Sequence, residues 1–227
     1  MKILFVSLGC DKNLVDTEMM LGMLREKGFE FTDDETEADI VVVNTCCFIG
    51  DAKEESINTL LEMAQLKQEG RIQALLAAGC LAQRYREEIQ KEIPEVDAIL
   101  GTMAIEEICA AVEEVLAGKS KNHYRELNSV PATYKDRVVT TGGHFAYLKI
   151  AEGCNKRCTY CIIPKVRGDY RSVPMENLVE QAQVLAQKGV RELILVAQET
   201  TLYGMDLYGK KSLPLLLHRL AEVEGIR

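Results

Sequence analysis

The sequence has no tryptophan, only 6% aromatic residues and three histidines. No apolar run approaches the length of a membrane helix. The opening MKILFVSLGC holds an apolar stretch too short for a secretory signal and lacks a cleavage site. No internal repeat beyond a βα period and no low-complexity tract interrupts the chain. These absences point away from membrane insertion and export, and a cytoplasmic location is expected. In a reducing compartment the eight cysteines argue against disulfides and for metal or redox chemistry.

What is present is core and an uneven charge. Of the 227 residues, 47% are hydrophobic, enough for one large or two ordinary domains. The net charge of −8 is split between two regions. Residues 1–118 carry 10 Lys and Arg against 24 Asp and Glu, and residues 119–227 carry 17 against 11. Two domains meeting different partners would produce such a split, and so would two solvated surfaces of different composition.

Short apolar runs alternate with amphipathic stretches in the first region. ILFVSLGC, ADIVVVNTC, IQALLAAGC and VDAILG read as strands, the third weakened by its alanines. LVDTEMMLGMLREKG, DAKEESINTLLEMAQLKQEG, QRYREEIQKEI and AIEEICAAVEEVLAG read as helices, several closed by glycine. Repeated βα units with continuous apolar strands predict an α/β domain with an open parallel sheet over residues 1–118. Residues 119–143 are polar, with Pro131 and the Gly142–Gly143 pair, and read as a linker with one edge strand. From 144 a second βα array begins, with strands in FAYLKIAEGC and RELILVAQ and helices in MENLVEQAQVLAQKG and LPLLLHRLAEVEG. It stops after two units, whereas a closed barrel needs several more. The chain is therefore expected to be part of a longer protein and inactive alone.

Six cysteines fall into two groups. Cys10, Cys46 and Cys80 each end a predicted strand, in the contexts LGC, NTC and AGC, about 35 residues apart. Ligands of open α/β sheets bind beyond the carboxyl ends of the strands, so the three thiols would converge there. Buried cysteine is also a common small core residue. Cys154, Cys158 and Cys161, in GCNKRCTYC, follow the first strand of the second array. A tetrahedral metal site wants four protein ligands, and none stands nearby to complete this set. Three thiolates can instead hold three irons of a 4Fe–4S cluster and leave the fourth iron open. Zinc competes, but its motifs pair CxxC with a second ligand pair, and His123 and His144 are poorly spaced for that.

CxxxCxxC with an aromatic residue, Tyr160, before the third cysteine resembles the radical S-adenosylmethionine (SAM) superfamily. The upstream cysteines narrow the resemblance to its methylthiotransferases. SLGCDKNLVDTE, NTCCFIGDAKEESI and KIAEGCNKRCTYCIIPKVRGDYRS are most similar to those acting on an aspartate of a ribosomal protein. The resemblance covers nearly all of the chain. It implies two 4Fe–4S clusters, an auxiliary one on Cys10, Cys46 and Cys80 and a SAM-binding one on Cys154, Cys158 and Cys161. It also implies that residues 144–227 begin a radical-SAM-type βα barrel. SAM would be bound by the open iron, with Tyr160, Gln198, Glu199 and Arg167 as candidate contacts. For Gln198 and Glu199 a strand-end polar cap is an equal reading, and Arg167 suits a carboxylate or a solvated loop.

The implied activity is radical insertion of a methylthio group at the β-carbon of an aspartate in a small-subunit ribosomal protein. The implied partners are that protein or the small ribosomal subunit, and an electron donor such as flavodoxin or ferredoxin, with no membrane. The same chemistry on a tRNA adenosine is one alternative, and a non-catalytic iron–sulfur or zinc redox module is another. Cys47 departs from the small residue usual in the family at that place. Cys109, among Ile105, Ile108, Val112 and Leu116 at helical spacing, reads as a core thiol.

Overall fold

The computed structural model describes residues 1–227, which divide into two compact units, Met1–Glu126 and Leu127–Arg227. No helix is long and apolar enough to cross a membrane.

The first unit follows the expected βα alternation. Strand β1 (Lys2–Ser7) leads into α1 (Asp11–Glu26), then comes β2 (Glu30–Thr32), then β3 (Ile40–Thr45). After α2 (Gly50–Gln68) come β4 (Ala74–Ala78), α3 (Gly79–Arg84), α4 (Arg86–Glu92), β5 (Ala98–Leu100) and α5 (Ile108–Leu116). All sheet pairings are parallel, in the order β2-β1-β3-β4-β5. All six residues of β3 and all five of β4 are buried, as strands covered on both faces must be. Each such valine, isoleucine or leucine contributes about 1.5–3 kcal/mol through the apolar surface it withdraws from water. The strand order reverses between β1 and β3, the place where this topology opens a crevice at the carboxyl edge.

Several elements differ from the expected ones. The edge strand β2 is only three residues long, too short to show a period. The helix expected over QRYREEIQKEI is broken at Tyr85, whose φ of −117° and ψ of 42° are not helical. Strand β4 stops at Ala78, so Cys80 lies in the first turn of α3 and not on the strand. Cys10 is likewise the N-cap of α1, and only Cys46 follows its strand directly.

The polar segment 119–143 is divided between the units. His123 bridges to Leu100 in parallel, exchanging backbone hydrogen bonds of 2.8 and 2.9 Å with Ile99 and Gly101. In the second unit Arg137 is buried and donates to the Tyr147 carbonyl. The expected edge strand forms no ladder, because side-chain and single-bridge contacts tie the segment down instead.

The second unit contains β6 (Phe145–Lys149), β7 (Ala151–Glu152), α6 (Ile163–Val166), β8 (Arg171–Ser172), α7 (Met175–Gln187), β9 (Glu192–Val196), α8 (Met205–Tyr208) and α9 (Leu213–Ala221). Strands β6 and β9 pair in parallel with α7 between them in sequence, a βαβ unit. The two-residue strands β7 and β8 pair antiparallel and carry the chain back beside the cysteine loop. Leu148, Ile150, Leu178, Ala182, Tyr203 and Leu216 centre the core. The buried Tyr203 hydroxyl donates to the Val173 carbonyl at 2.8 Å, which satisfies its polar end.

Candidate functional site

Two cysteine sites occur, one in each unit. In the first, β1, β3 and β4 are neighbours in the sheet, so the segments carrying Cys10, Cys46 and Cys80 leave it side by side. The fully buried Asn13, in α1, ties them together. Its amide nitrogen donates to the carbonyls of Leu8 and Thr45, at 3.0 Å each, and the Cys80 thiol lies 3.8 Å from its oxygen. The Cys46 amide donates to Ser56 Oγ at 2.8 Å. Gly9 has φ +89°, and a Cβ there would stand 2.6 Å from Cys46 Cβ and 2.8 Å from its sulfur. Gly79 has φ +90°, and a Cβ would meet the Thr45 carbonyl at 2.5 Å. Glycine at both positions is what lets the cysteine-bearing turns close on one another. Cys46 and Cys80 are buried and Cys10 is exposed, so the group opens to solvent on one side. Cys47 is also buried beside it.

The second site lies on the loop between β7 and α6. Gly153, φ +74°, packs so tightly that a Cβ would stand 2.1 Å from the Asp169 carbonyl. The Cys154 amide donates to the Gly168 carbonyl at 3.1 Å, and the Tyr170 amide to Asn155 Oδ1 at 3.0 Å. The loop ends in a tight turn from the Cys161 amide to the Cys158 carbonyl, at 3.0 Å. Arg157 holds φ 47°, the only non-glycine residue with positive φ, and pairs with Asp169 at 3.3 Å. Lys156 reaches from the loop to Glu199, which also accepts from the Thr201 amide and hydroxyl. The Lys156 ammonium and the Thr201 hydroxyl bring the Glu199 carboxyl down to about 2.

Beneath the loop sits Glu152, 1% exposed. Its Oε2 accepts from Lys149 Nζ at 2.9 Å and from Arg167 at 3.1 Å, and its Oε1 from Gln198 Nε2 at 3.2 Å. Burial opposes its charge, but the Arg167 and Lys149 cations outweigh that and keep the carboxyl far below the usual range.

Of the predicted contacts, Arg167 and Gln198 meet on Glu152, and Glu199 is drawn to the loop by Lys156. Tyr160 is 87% exposed and contributes no packing to the loop. No three histidine, cysteine or acidic side chains stand as a ready site for a single metal ion. A 4Fe–4S cluster makes a different demand, because each of its thiolates holds a separate iron. Three thiols around a strand-end crevice, and three on one short loop with Cys158 exposed and Cys154 and Cys161 partly so, fit that demand. Asn13 and Glu152 went unnoticed in the sequence. The signals for them are an amide facing the sheet in α1 and an i, i+3 Lys–Glu pair that spans the ends of β6 and β7.

A family model described as "Uncharacterized protein family UPF0004" matches residues 2–101, and the radical SAM superfamily model matches residues 148–226. Proteins named ribosomal protein uS12 methylthiotransferase RimO are similar over the chain. That of Lachnoclostridium phytofermentans is 62% identical over 226 residues, covering 100% of this chain and 51% of the relative. That of Acetivibrio thermocellus is 50% identical over 232 residues, covering 99% and 51%. The chain spans about half the length of the curated relatives it matches. Among solved structures, the radical SAM methyltransferase TsrM of Kitasatospora setae aligns with TM-score 0.61 and 14% identity over 99% of this chain and 54% of its own. The cobalamin-dependent radical SAM enzyme OxsB aligns with TM-score 0.57 and 14% identity, over 97% and 36%. At such identity these two speak for the fold alone. Both cysteine sites lie inside the matched segments, and over its whole length the chain is similar to the RimO-type radical SAM methylthiotransferases.

Proposed function

We propose that this chain is the part of a methylthiotransferase that holds both of its iron–sulfur centres, and that the enzyme modifies the β-carbon of an aspartate in ribosomal protein uS12. The observation that carries the reading is the pair of three-cysteine sites, one beyond the carboxyl ends of parallel strands and one on the loop after β7, in a chain 62% identical to a RimO protein. Cys10, Cys46 and Cys80 would hold an auxiliary 4Fe–4S cluster. Cys154, Cys158 and Cys161 would hold a second, whose fourth iron has no protein ligand.

A 4Fe–4S cluster held by Cys154, Cys158 and Cys161 would supply the electron for reductive cleavage of SAM, the chemistry needed to act on a carbon with no acidic proton. The chain's own part is to hold and shield. Gly153 and Asn155 fix the entry to the cysteine loop, and Arg157 and Lys156 pin its crown to Asp169 and Glu199. Gln198 Oε1 is buried without a hydrogen-bond partner and offers an acceptor to the amino group of SAM. Arg167, held by Glu152, would set the local positive field that a SAM carboxylate meets. Tyr160, exposed at the loop crown, would line the open side of the cofactor. A flavodoxin- or ferredoxin-type protein would deliver the electron. The excess of acidic over basic residues in 1–118 suits a basic ribosomal partner.

Mass spectrometry of ribosomal proteins and of digested tRNA from cells lacking the gene tests the reading. Loss of a methylthio mass from the uS12 aspartyl peptide is expected. Its loss from a tRNA adenosine alone would overturn the substrate.

A further inference from the structure

Glu152 is out of proportion to a structural need. Two cations and an amide converge on one carboxylate that is 1% exposed, in a strand otherwise apolar. Burying charges costs several kcal/mol each, and well-packed apolar residues of similar size often serve stability as well or better. The hub also gathers distant chain segments: Lys149 ends β6, Arg167 follows α6, and Gln198 follows β9. Glu152 lies two residues before Cys154, at most about 7 Å along the chain. The charged groups of the strand opposite are occupied elsewhere, Arg171 being the residue paired with Glu152. Asp206 accepts from the Ser172 amide and hydroxyl, at 2.7 and 2.6 Å, and Arg171 donates to the carbonyls of Asp169 and Arg167.

We infer that Glu152 is a positioning residue for the cluster at Cys154, Cys158 and Cys161, and that the charges it gathers set how readily that cluster accepts an electron. The inference rests on the cluster assignment proposed above. Cluster potentials respond to nearby net charge and to solvent exposure. Inside a buried, low-dielectric site a charge acts over several ångströms with little screening. Glu152 keeps Lys149 and Arg167 at fixed distance beneath the loop, and its own negative charge tempers theirs. A residue that only supported the fold would change stability when replaced. One that sets the field must shift the potential with the sign of the charge removed.

The test uses protein in which Cys10, Cys46 and Cys80 are alanine, so that only the second cluster gives a signal. It is reconstituted with iron and sulfide without oxygen, and its midpoint potential is followed by redox titration with electron paramagnetic resonance. Lys149→Met removes a positive charge and is expected to lower the midpoint. Glu152→Gln removes a negative charge and is expected to raise it. The double variant restores the charge sum and is expected to return close to the parent. If Glu152→Gln alone does not fold, the upward step from Lys149→Met to the double variant still carries the test. Midpoints that stay together, or shift in one direction, with iron bound in every variant overturn this inference and leave the cluster assignment standing. A parent protein that binds no iron overturns the cluster assignment, and the inference with it.

Discussion

The two cysteine sites reach a similar ligand set by opposite means. In the first unit the cysteines are about 35 residues apart and the fold brings them together. Parallel pairing aligns three strand ends, two glycines let their turns close, and Asn13 joins them with neutral hydrogen bonds. In the second the cysteines lie within eight residues and sequence proximity does that work. There the fold must shape one loop, and it does so largely with ion pairs: Arg157 to Asp169, Lys156 to Glu199, and Lys149 and Arg167 to Glu152. A long-range site depends on steric fit between turns, and a local site depends on charge. The first should fail with volume, and the second with charge, pH and salt.

The largest expected effect tests whether the sites are separate at all. The full-length protein reconstituted without oxygen should bind about eight irons, and replacing Cys154, Cys158 and Cys161 by alanine should leave about four. Under the proposed function, methylthiolation by the full-length enzyme should vanish with either cysteine set, whereas its cleavage of SAM should survive replacement of Cys10, Cys46 and Cys80. Iron falling to near zero in either triple variant would show that one site cannot form without the other.

Volume at the first site comes next. Gly9→Ala meets a positive φ, which costs about 1–2 kcal/mol by itself, and drives a methyl group into Cys46. Iron at the first site should be lost while the second stays loaded. Asn13→Ala should cost about 1–3 kcal/mol, because the buried Thr45 carbonyl and the part-buried Leu8 carbonyl lose their donor. Thermal unfolding and iron analysis check both variants. If either empties the second site as readily as the first, the contrast between the sites breaks.

How far these sites were legible follows from the same contrast. The periodic signals were plain where a strand was continuous and apolar, as in VVVNT, and the sheet and its carboxyl-edge cysteines followed. What escaped were features decided by contacts far along the chain. The turn of Cys80 into α3 depends on Gly79 closing over Thr45. The break at Tyr85 depends on a helix start that no capping residue announces. The segment 119–143 looked unattached because a single bridge at His123 and one buried guanidinium leave no period to read. At the second site the local spacing of cysteines was unmistakable. Its partners were not, since nothing in the order of the sequence shows that Lys149, Arg167 and Gln198 will share one carboxylate.

The smallest effect concerns pH at the second site. Glu199 has its carboxyl lowered from 4.5 to about 2 by Lys156 and Thr201. A carboxyl with a depressed folded value adds stability that is fully present above its unfolded value and lost as pH falls through the folded one. Its help to the loop is therefore complete above about pH 4.5 and declines from there toward pH 2. Because Lys156 is more than half exposed, salt should screen the pair and keep the effect small. Limited proteolysis of the loop should be slightly faster in Glu199→Gln than in the parent at pH 7, and the difference should narrow below pH 4.5 and in high salt. Glu152, beneath the same loop, offers the contrast. Its carboxyl is held low in a buried site, so salt should leave its contribution in place. A loop whose protection in Glu199→Gln stayed below the parent's by the same margin at every pH would mean that the Lys156 contact acts by packing rather than by charge.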